Sequence, residues 1–169
     1  QFDLSQEFDS EPTVEDRRAY VAAILSQDRF RKEIPLLNGQ LRIVFRSLTS
    51  AEAELLFHQL KLEIRRGDVM ADSEYFMRLH AYRLVMGTEK IISERGVLYT
   101  VPPALEVPYD PEEGSQDTVL PSLEKWFWAT VLPQESLRRV VAQRHREFQR
   151  LAEALEAQTS NPDFWQGIV

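Results

Sequence analysis

The segment from residue 34 to residue 56 constrains the fold most, because it encodes a hairpin that leads directly into a helix. Asn38-Gly39 lies between two short apolar runs and predicts a two-residue type I′ turn, whose central residues both need positive φ. The second run alternates in polarity, which predicts a strand with one buried and one solvent-facing side. The expected buried side consists of Leu41, Ile43 and Phe45, and the expected solvent-facing side consists of Arg42, Val44 and Arg46. Thr49 and Glu52 have the spacing of a capping box that begins a helix.

Helical periodicity and end signals predict further helices along the rest of the chain. The expected helical ranges are 13–30, 50–66, 72–94, 117–132 and 133–160. The first helix carries one apolar stripe, which includes Leu25. The third helix carries two apolar stripes, one of which includes Met77, so we expect it to pack on two sides and to lie centrally. Pro35 cannot donate to a sheet ladder, so its strand is expected at a sheet edge. Gly87 marks either a close crossing or an early end of the third helix. Residues 97–101 form a candidate third strand, and the proline-rich remainder up to residue 115 is expected to be a loop.

These elements predict a mostly helical α+β domain. A small antiparallel hairpin or three-stranded sheet is expected to pack with four to five helices. We divide the chain into a flexible acidic arm (1–12), a single globular domain (13–159) and a C-terminal aromatic tail (160–169). The length of 169 residues suits one domain with one core.

Several classes of chemical site lack the residues they need. The chain contains no cysteine, which excludes disulfides, thiolate zinc sites and cysteine nucleophiles. Its six glycines are scattered, so no phosphate-binding loop is encoded. His58, His80 and His145 lie on three different predicted helices, without metal-binding spacing. We therefore predict no catalytic residue, no cofactor and no metal site, and we expect the protein not to be an enzyme; a hydrolase with dispersed carboxylates is the weaker alternative.

The charge balance and hydropathy bear on partners. The formal net charge of −7 argues against nucleic acid, whose binding proteins usually carry a basic excess. No apolar run approaches the roughly 18 residues needed to span a bilayer, so we expect no membrane association. Neither a basic leader nor an apolar signal segment is visible, and we expect a cytoplasmic protein.

Aromatic residues are the best candidates for contact with another protein. Trp126 and Trp128 flank a phenylalanine, and three consecutive helical residues cannot all face one core. Phe164 and Trp165 lie beyond the last long helix, where they either bind a partner or fold back and fasten the C-terminus. On the hairpin, Arg42 and Arg46 are candidates for contact with an acidic partner or with the acidic arm. We predict these six residues as protein-binding.

The run LNGQLRIVFRSLTSAE at residues 37–52, followed by helices and a tail that ends in NPDFW, resembles the tail assembly chaperones of long-tailed bacteriophages. The resemblance covers residues 36–60 and, more weakly, residues 120–165. It implies a non-enzymatic protein that binds the tape-measure protein, a long hydrophobic helical rod, until the tail tube forms around it. It supplies no catalytic residue and no individual binding residue.

The same resemblance sets our expectations for partner and location. The expected partner is another phage tail protein, either the tape measure or a baseplate or tail subunit, and the sequence leaves homo-oligomerisation open. A chaperone would act in the host cytoplasm. The alternative is a structural subunit of the tail, neck or baseplate that stays in the virion, since such a subunit would have similar composition.

Overall fold

A computed structural model describes residues 11–68, 72–101 and 119–166. The described part is an α+β fold in which helices predominate and one antiparallel sheet has the strand order β1-β2-β3-β4. The helices and strands are α1 (Val14–Leu25), β1 (Arg31–Leu36), β2 (Leu41–Arg46), α2 (Ser50–Arg65), α3 (Asp72–Gly87), β3 (Thr88–Ser93), β4 (Gly96–Thr100), α4 (Val119–Trp126), α5 (Glu135–Gln158) and α6 (Pro162–Trp165). The predicted fold class is confirmed, with a sheet of four strands instead of two or three.

Three sequence predictions fall wholly or partly outside the described residues. They are the acidic arm up to residue 10, the loop between residues 102 and 118, and the last three residues of the aromatic tail.

The additional strand comes from a segment that we predicted to be helical. α3 ends at Gly87 instead of near Glu94, and the chain passes directly into β3. β3 pairs with β2 on one side and with β4 on the other. Its sequence TEKIIS is rich in β-branched residues, which pack well between neighbouring strands. Cross-strand pairing therefore prevails over the helical period of the preceding segment.

The first hairpin is present, but its turn is longer than predicted. Leu36 pairs with Leu41, which leaves four residues in the connection instead of two. Leu37, Asn38 and Gly39 take positive φ values of 52°, 55° and 82°. Asparagine and glycine tolerate this region well, whereas leucine seldom adopts it. As predicted, β1 lies at an edge of the sheet, where Pro35 interrupts no inner ladder.

Both predicted helix starts in the first third of the chain are confirmed. Thr13 caps α1 and Thr49 caps α2, each in a reciprocal capping box. α1 ends at Leu25 instead of near Phe30, because Gln27 takes a left-handed φ of 55° that breaks the helix. Leu25 was predicted to belong to the buried stripe of α1, and its side chain is exposed.

The core is formed by residues of the sheet and of α2, α3, α4 and α5. α3 contacts α2, α4 and α5, in agreement with the central position predicted from its two apolar stripes. Three aromatic rings join the sheet side to α5: the ring of Phe148 stacks on Phe30 at 5.6 Å and lies 5.7 Å from Phe45. Such ring contacts add to the area that they bury. The grooves described below therefore lie on a packed scaffold.

Candidate protein-binding surfaces

Arg46 does not lie where the sequence predicted. Its side chain is buried instead of exposed on the outer face of the hairpin. Its Nε donates to the carbonyl oxygen of Met86 at 3.1 Å, and a terminal nitrogen donates to Glu52 at 3.3 Å. These two partners, from the end of α3 and the first turn of α2, hold the guanidinium inside the fold. Arg46 is therefore a core residue in this fold.

Glu52 is the centre of this buried polar cluster. Besides Arg46, it accepts a hydrogen bond from Arg29 at 2.9 Å. It also accepts the backbone N–H of Thr49 at 2.9 Å, which completes the capping box of α2. One carboxylate thus ties together β2, the start of α2 and the segment before β1. Because every group faces another protein group, the cluster supports the fold and presents no surface to a partner.

Arg42 lies on the exposed face of the hairpin, as predicted. Its guanidinium is 3.4 Å from the carboxylate of Glu33 on the neighbouring strand, and both side chains are about half exposed. An exposed pair of this kind contributes about 0–1 kcal/mol. Breaking the pair with Glu33 therefore costs little free energy, and Arg42 is accessible to an acidic partner.

The three aromatic residues around Phe127 point in different directions. Phe127 is fully buried, whereas Trp126 is 45% exposed and lies beside Tyr99. Trp128 is half-buried, with the guanidinium of Arg138 5.6 Å from its ring centroid. Arg138 also donates to the carbonyl oxygens of Trp128 and Leu132. Trp128 is thus held in place with part of its ring accessible to solvent.

The C-terminal aromatic pair is folded back against the domain. Phe164 is buried, and Trp165 is 37% exposed while its indole N–H donates to the carbonyl oxygen of Thr159 at 3.0 Å. Asn161 caps this short last helix through a hydrogen bond to the N–H of Asp163. Of the two arrangements that the sequence left open, the folded-back one is present, and Trp165 keeps one accessible side.

The structure also contains two grooves that the sequence analysis did not identify. The α1–α5 groove has a volume of about 390 Å³. Its lining includes Tyr20, Ile24, Leu48, Phe57, Arg83 and Phe148. The α3–α5 groove has a volume of about 350 Å³. Its lining includes Phe76, Met77, His80, Trp128, Ala142 and Arg146.

Both grooves follow the same side of α5. The residues of α5 that line them recur every three or four positions, which places them along one stripe of the helix. The accessible stripe comprises Ala142, Arg146, Gln149, Ala152, Glu153 and Glu156, the buried His145 and Phe148 flank it, and Arg138 extends it through an adjoining depression beside Trp128. From Arg138 to Glu156 the stripe is about 27 Å long at 1.5 Å per residue.

Exposed hydrophobic residues of α3 form one wall of the α3–α5 groove. Phe76 is 54% exposed and Met77 is 71% exposed. The sequence analysis placed Met77 in a buried stripe of α3, and this prediction is wrong. An apolar pattern on a helix does not distinguish a packed face from a face that remains accessible, because both have the same period.

The ionisable side chains that line the α3–α5 groove are Arg146, His80 and His145. Burial, followed by the guanidinium groups of Arg146 and of Arg83 in the α1–α5 groove, lowers the pKa of His80, and the carboxylate of Glu153 opposes this shift. Among the described residues, neither Arg83 nor Arg146 has a carboxylate within ion-pair distance. The groove therefore joins apolar side chains to one arginine, Arg146, that has no ion-pair partner among the described residues.

Buried titratable residues elsewhere do not form a recognisable catalytic group. His145 is buried beside Phe45, and burial followed by the charges of His80 and the nearby arginines lowers its pKa to about 3. The hydroxyl of Tyr82 donates to Glu63 at 2.8 Å, and burial raises the pKa of this tyrosine. Within the ranges that the structure describes, no three His, Asp or Glu side chains are grouped so as to hold a metal ion.

No helix in the described ranges combines the length and hydrophobicity needed to cross a membrane. Comparisons of the chain with protein-family models, curated proteins and solved structures find no match.

Proposed function

We propose that this chain is a non-enzymatic tail assembly chaperone of a long-tailed bacteriophage, and that it binds the hydrophobic tape-measure protein in the host cytoplasm during tail assembly. The resemblance in residues 36–60 motivates the proposal. The observation that supports it most is the pair of grooves along one side of α5, of which the α3–α5 groove is mainly apolar and the α1–α5 groove is about half polar, because an amphipathic helix presents both kinds of surface.

The dimensions of the grooved side suit a helical client. A stripe of about 27 Å matches a client helix of about 18 residues, or five turns. Exposed apolar side chains border it at both ends, with Phe57 at one groove and Phe76 and Met77 at the other. Methionine and aromatic side chains adapt to many apolar partners. A long rod with repeated hydrophobic faces would therefore find several places to bind.

Co-expression with the tape-measure protein tests the proposal. We expect the soluble fraction of the tape-measure protein to rise when this chain is present and to fall again with Met77→Glu. The substitution places a charge in the α3–α5 groove, where desolvating it opposes binding of an apolar face. If the tape-measure protein is equally soluble without this chain, the proposal is wrong.

Leu98→Glu is the matched control. Leu98 is 61% exposed, close to Met77 in exposure, but it lies on β4, away from both grooves. We expect this variant to keep the tape-measure protein as soluble as the parent chain does. If both variants lowered the solubility of the tape-measure protein equally, the effect would come from adding a charge to any exposed apolar surface and not from the groove.

The second candidate function is a structural subunit retained in the tail, neck or baseplate. It is favoured by β4, which is the outermost strand on its side of the described sheet and exposes Val97 and Leu98 next to each other. An open strand edge can pair with a strand of a neighbouring subunit. Mass spectrometry of purified particles separates the two functions, since a chaperone is absent from the finished particle and a subunit is present at fixed stoichiometry.

A further inference from the structure

The grooved side of α5 carries opposite charges at its two ends. Arg146 lines the α3–α5 groove, and Glu153 lines the α1–α5 groove about two turns later along the helix. Both side chains are exposed, and neither forms an ion pair with another described residue. Asp28 and Glu156 also line the Glu153 end, and Arg83 offsets one of these three negative charges. A complementary partner therefore presents its charges in the opposite order.

A second copy of α5 has this opposite order when it lies antiparallel to the first. A two-fold axis midway between Arg146 and Glu153 brings each arginine opposite the glutamate of the other copy, so the same charge pair forms twice. The next positions outward on this side of the helix are Ala142 and Ala157, whose short side chains permit close contact between two helices. The four positions are spaced by four, seven and four residues, which places them on one side of α5. This spacing is the same in both directions, as a two-fold contact between identical helices requires.

The exposed hydrophobic residues of the two grooves meet in the same arrangement. The axis that reverses α5 places the α3–α5 groove of one copy over the α1–α5 groove of the other. Phe76 and Met77 border the first groove, and Ile24 and Phe57 border the second. All four side chains are between 41% and 71% exposed in the single chain. Contact between them would remove apolar surface from water on both sides of the axis, in addition to pairing the charges.

The size of the grooved side suits a weak dimer. Its stripe on α5 is about 27 Å long, and two adjacent helices are about 20–24 Å wide. The resulting projected area of roughly 600 Å² per copy lies at the lower end of the range for specific protein–protein interfaces. An interface of this size gives reversible association and not an obligate dimer.

We propose that two copies of this chain associate reversibly through the grooved side of α5, with the two helices antiparallel and Arg146 of each copy paired with Glu153 of the other. This contact covers both grooves in the free protein, so a client that enters a groove competes with the second copy. We expect a dissociation constant in the micromolar range. The inference rests on the grooves and their charges and does not require a tape-measure protein.

Charge exchange between the two positions tests the inference. Sedimentation equilibrium of the full chain measures the dimer dissociation constant of the parent, Arg146→Glu and Glu153→Arg. Each single variant turns two attractive contacts into two repulsive ones, so we expect its dissociation constant to rise by about tenfold to a hundredfold.

An equimolar mixture of the two variants provides a second readout, which a folding defect cannot imitate. One variant has only negative charge at these two positions and the other has only positive charge, so both pairs are restored in a mixed dimer. We expect the mixture to dimerise about as tightly as the parent chain. A mixture that dimerises no better than either variant alone would overturn the inference.

Two further variants separate this interface from other ways of pairing. Met77→Glu should weaken the dimer, because it places a charge in the apolar contact. Leu98→Glu is the matched control, since Leu98 is exposed on β4 and outside both grooves. We expect it to leave the dissociation constant nearly unchanged.

Loss of the dimer with Leu98→Glu would show that the copies pair through the edge of the sheet, and the inference would be wrong. A parent chain that stays monomeric well above the micromolar range would also overturn it. Neither result bears on whether a tape-measure protein binds, which the co-expression experiment measures separately.

Discussion

Gly87 lies directly against the imidazole of His145. A Cβ atom on Gly87 would come within 3.0 Å of Nε2 of His145 and 3.3 Å of the carbonyl oxygen of Arg46. The end of α3, the end of β2 and the middle of α5 therefore meet at a point that has no room for a methyl group. This close approach explains why a glycine is found at the junction of α3 and β3.

Gly87→Ala should destabilise the fold by about 1–2 kcal/mol. Overpacking costs about 1–3 kcal/mol, and the higher helix propensity of alanine offsets about 0.5–1 kcal/mol of this. Urea unfolding followed by tryptophan fluorescence measures the difference. In a His145→Ala background the penalty should shrink, because the ring that the new methyl group meets is gone. The same penalty in both backgrounds would show that the ring is not the obstacle.

Glu52→Gln should destabilise the fold by about 3–5 kcal/mol, since it leaves the buried guanidinium of Arg46 without its carboxylate. Glu33→Gln is the control, because it removes the same charge from the exposed pair with Arg42 and should cost less than about 1 kcal/mol. Denaturant midpoints of the two variants make the comparison. Similar losses would contradict the distinction between a buried and an exposed ion pair.

Stability should fall on acidification in a manner that depends on His145. Burial lowers the pKa of His145 from 6.5 to about 3, so the unfolded chain binds a proton between these values that the folded protein does not. The contribution is complete above pH 6.5 and is lost as the pH falls towards 3, by at most about 1.4 kcal/mol per pH unit. Unfolding free energies of the parent and His145→Gln should run parallel above pH 7 and differ in slope between pH 6.5 and 4. Parallel curves throughout would show that His145 does not contribute.

Phe164→Ala should lower the free energy of unfolding by about 2–4 kcal/mol, because a buried ring is removed from the contact between α6 and the domain. Trp165→Ala should cost less, since that ring is 37% exposed and donates only one hydrogen bond. Thermal unfolding of both variants checks this order. The reverse order would mean that Trp165, and not Phe164, fastens the C-terminus.

The features that the sequence predicts well are those decided within a few residues. Both capping boxes require only a threonine and an acidic residue three positions later, so Thr13 and Thr49 could be identified without knowledge of the fold. The end of α2 is similarly local, since Gly67 takes a φ of 76° after the last turn. The edge position of Pro35 follows from its missing N–H.

The features that it predicts poorly depend on distant parts of the chain. Thr88–Ser93 becomes a strand because β2 and β4 pair with it, and its β-branched residues alone do not show that these partners are present. Arg46 is buried because its guanidinium donates to the carbonyl oxygen of Met86 at the end of α3 and to Glu52 at the start of α2. The burial of a guanidinium is decided by its partners, and Glu52 and Arg29 come from two other segments.

The sequence analysis did not predict the two grooves, because they also depend on distant parts of the chain. One side of α5 has the pattern of an ordinary solvent-exposed helix face, formed by Ala142, Arg146, Gln149 and Glu153. The sequence of this face does not show that α1 and α3 lie on either side of it. Met77 on α3 was assigned to a packed stripe, because helical periodicity does not report what lies opposite the helix, and the exposed Phe76 beside it was not assigned to either stripe.

The direct passage from α3 into β3 has a mechanical consequence. Because no loop separates the helix from the strand, any tilt of α3 would also move β3, an inner strand of the sheet. The close contact between Gly87 and α5 leaves no space for such a movement. The sheet and α5 therefore hold in place the helix that carries Phe76 and Met77. A ligand that enters beside it meets a surface already shaped for binding, so little of its binding energy is lost to rearranging the protein.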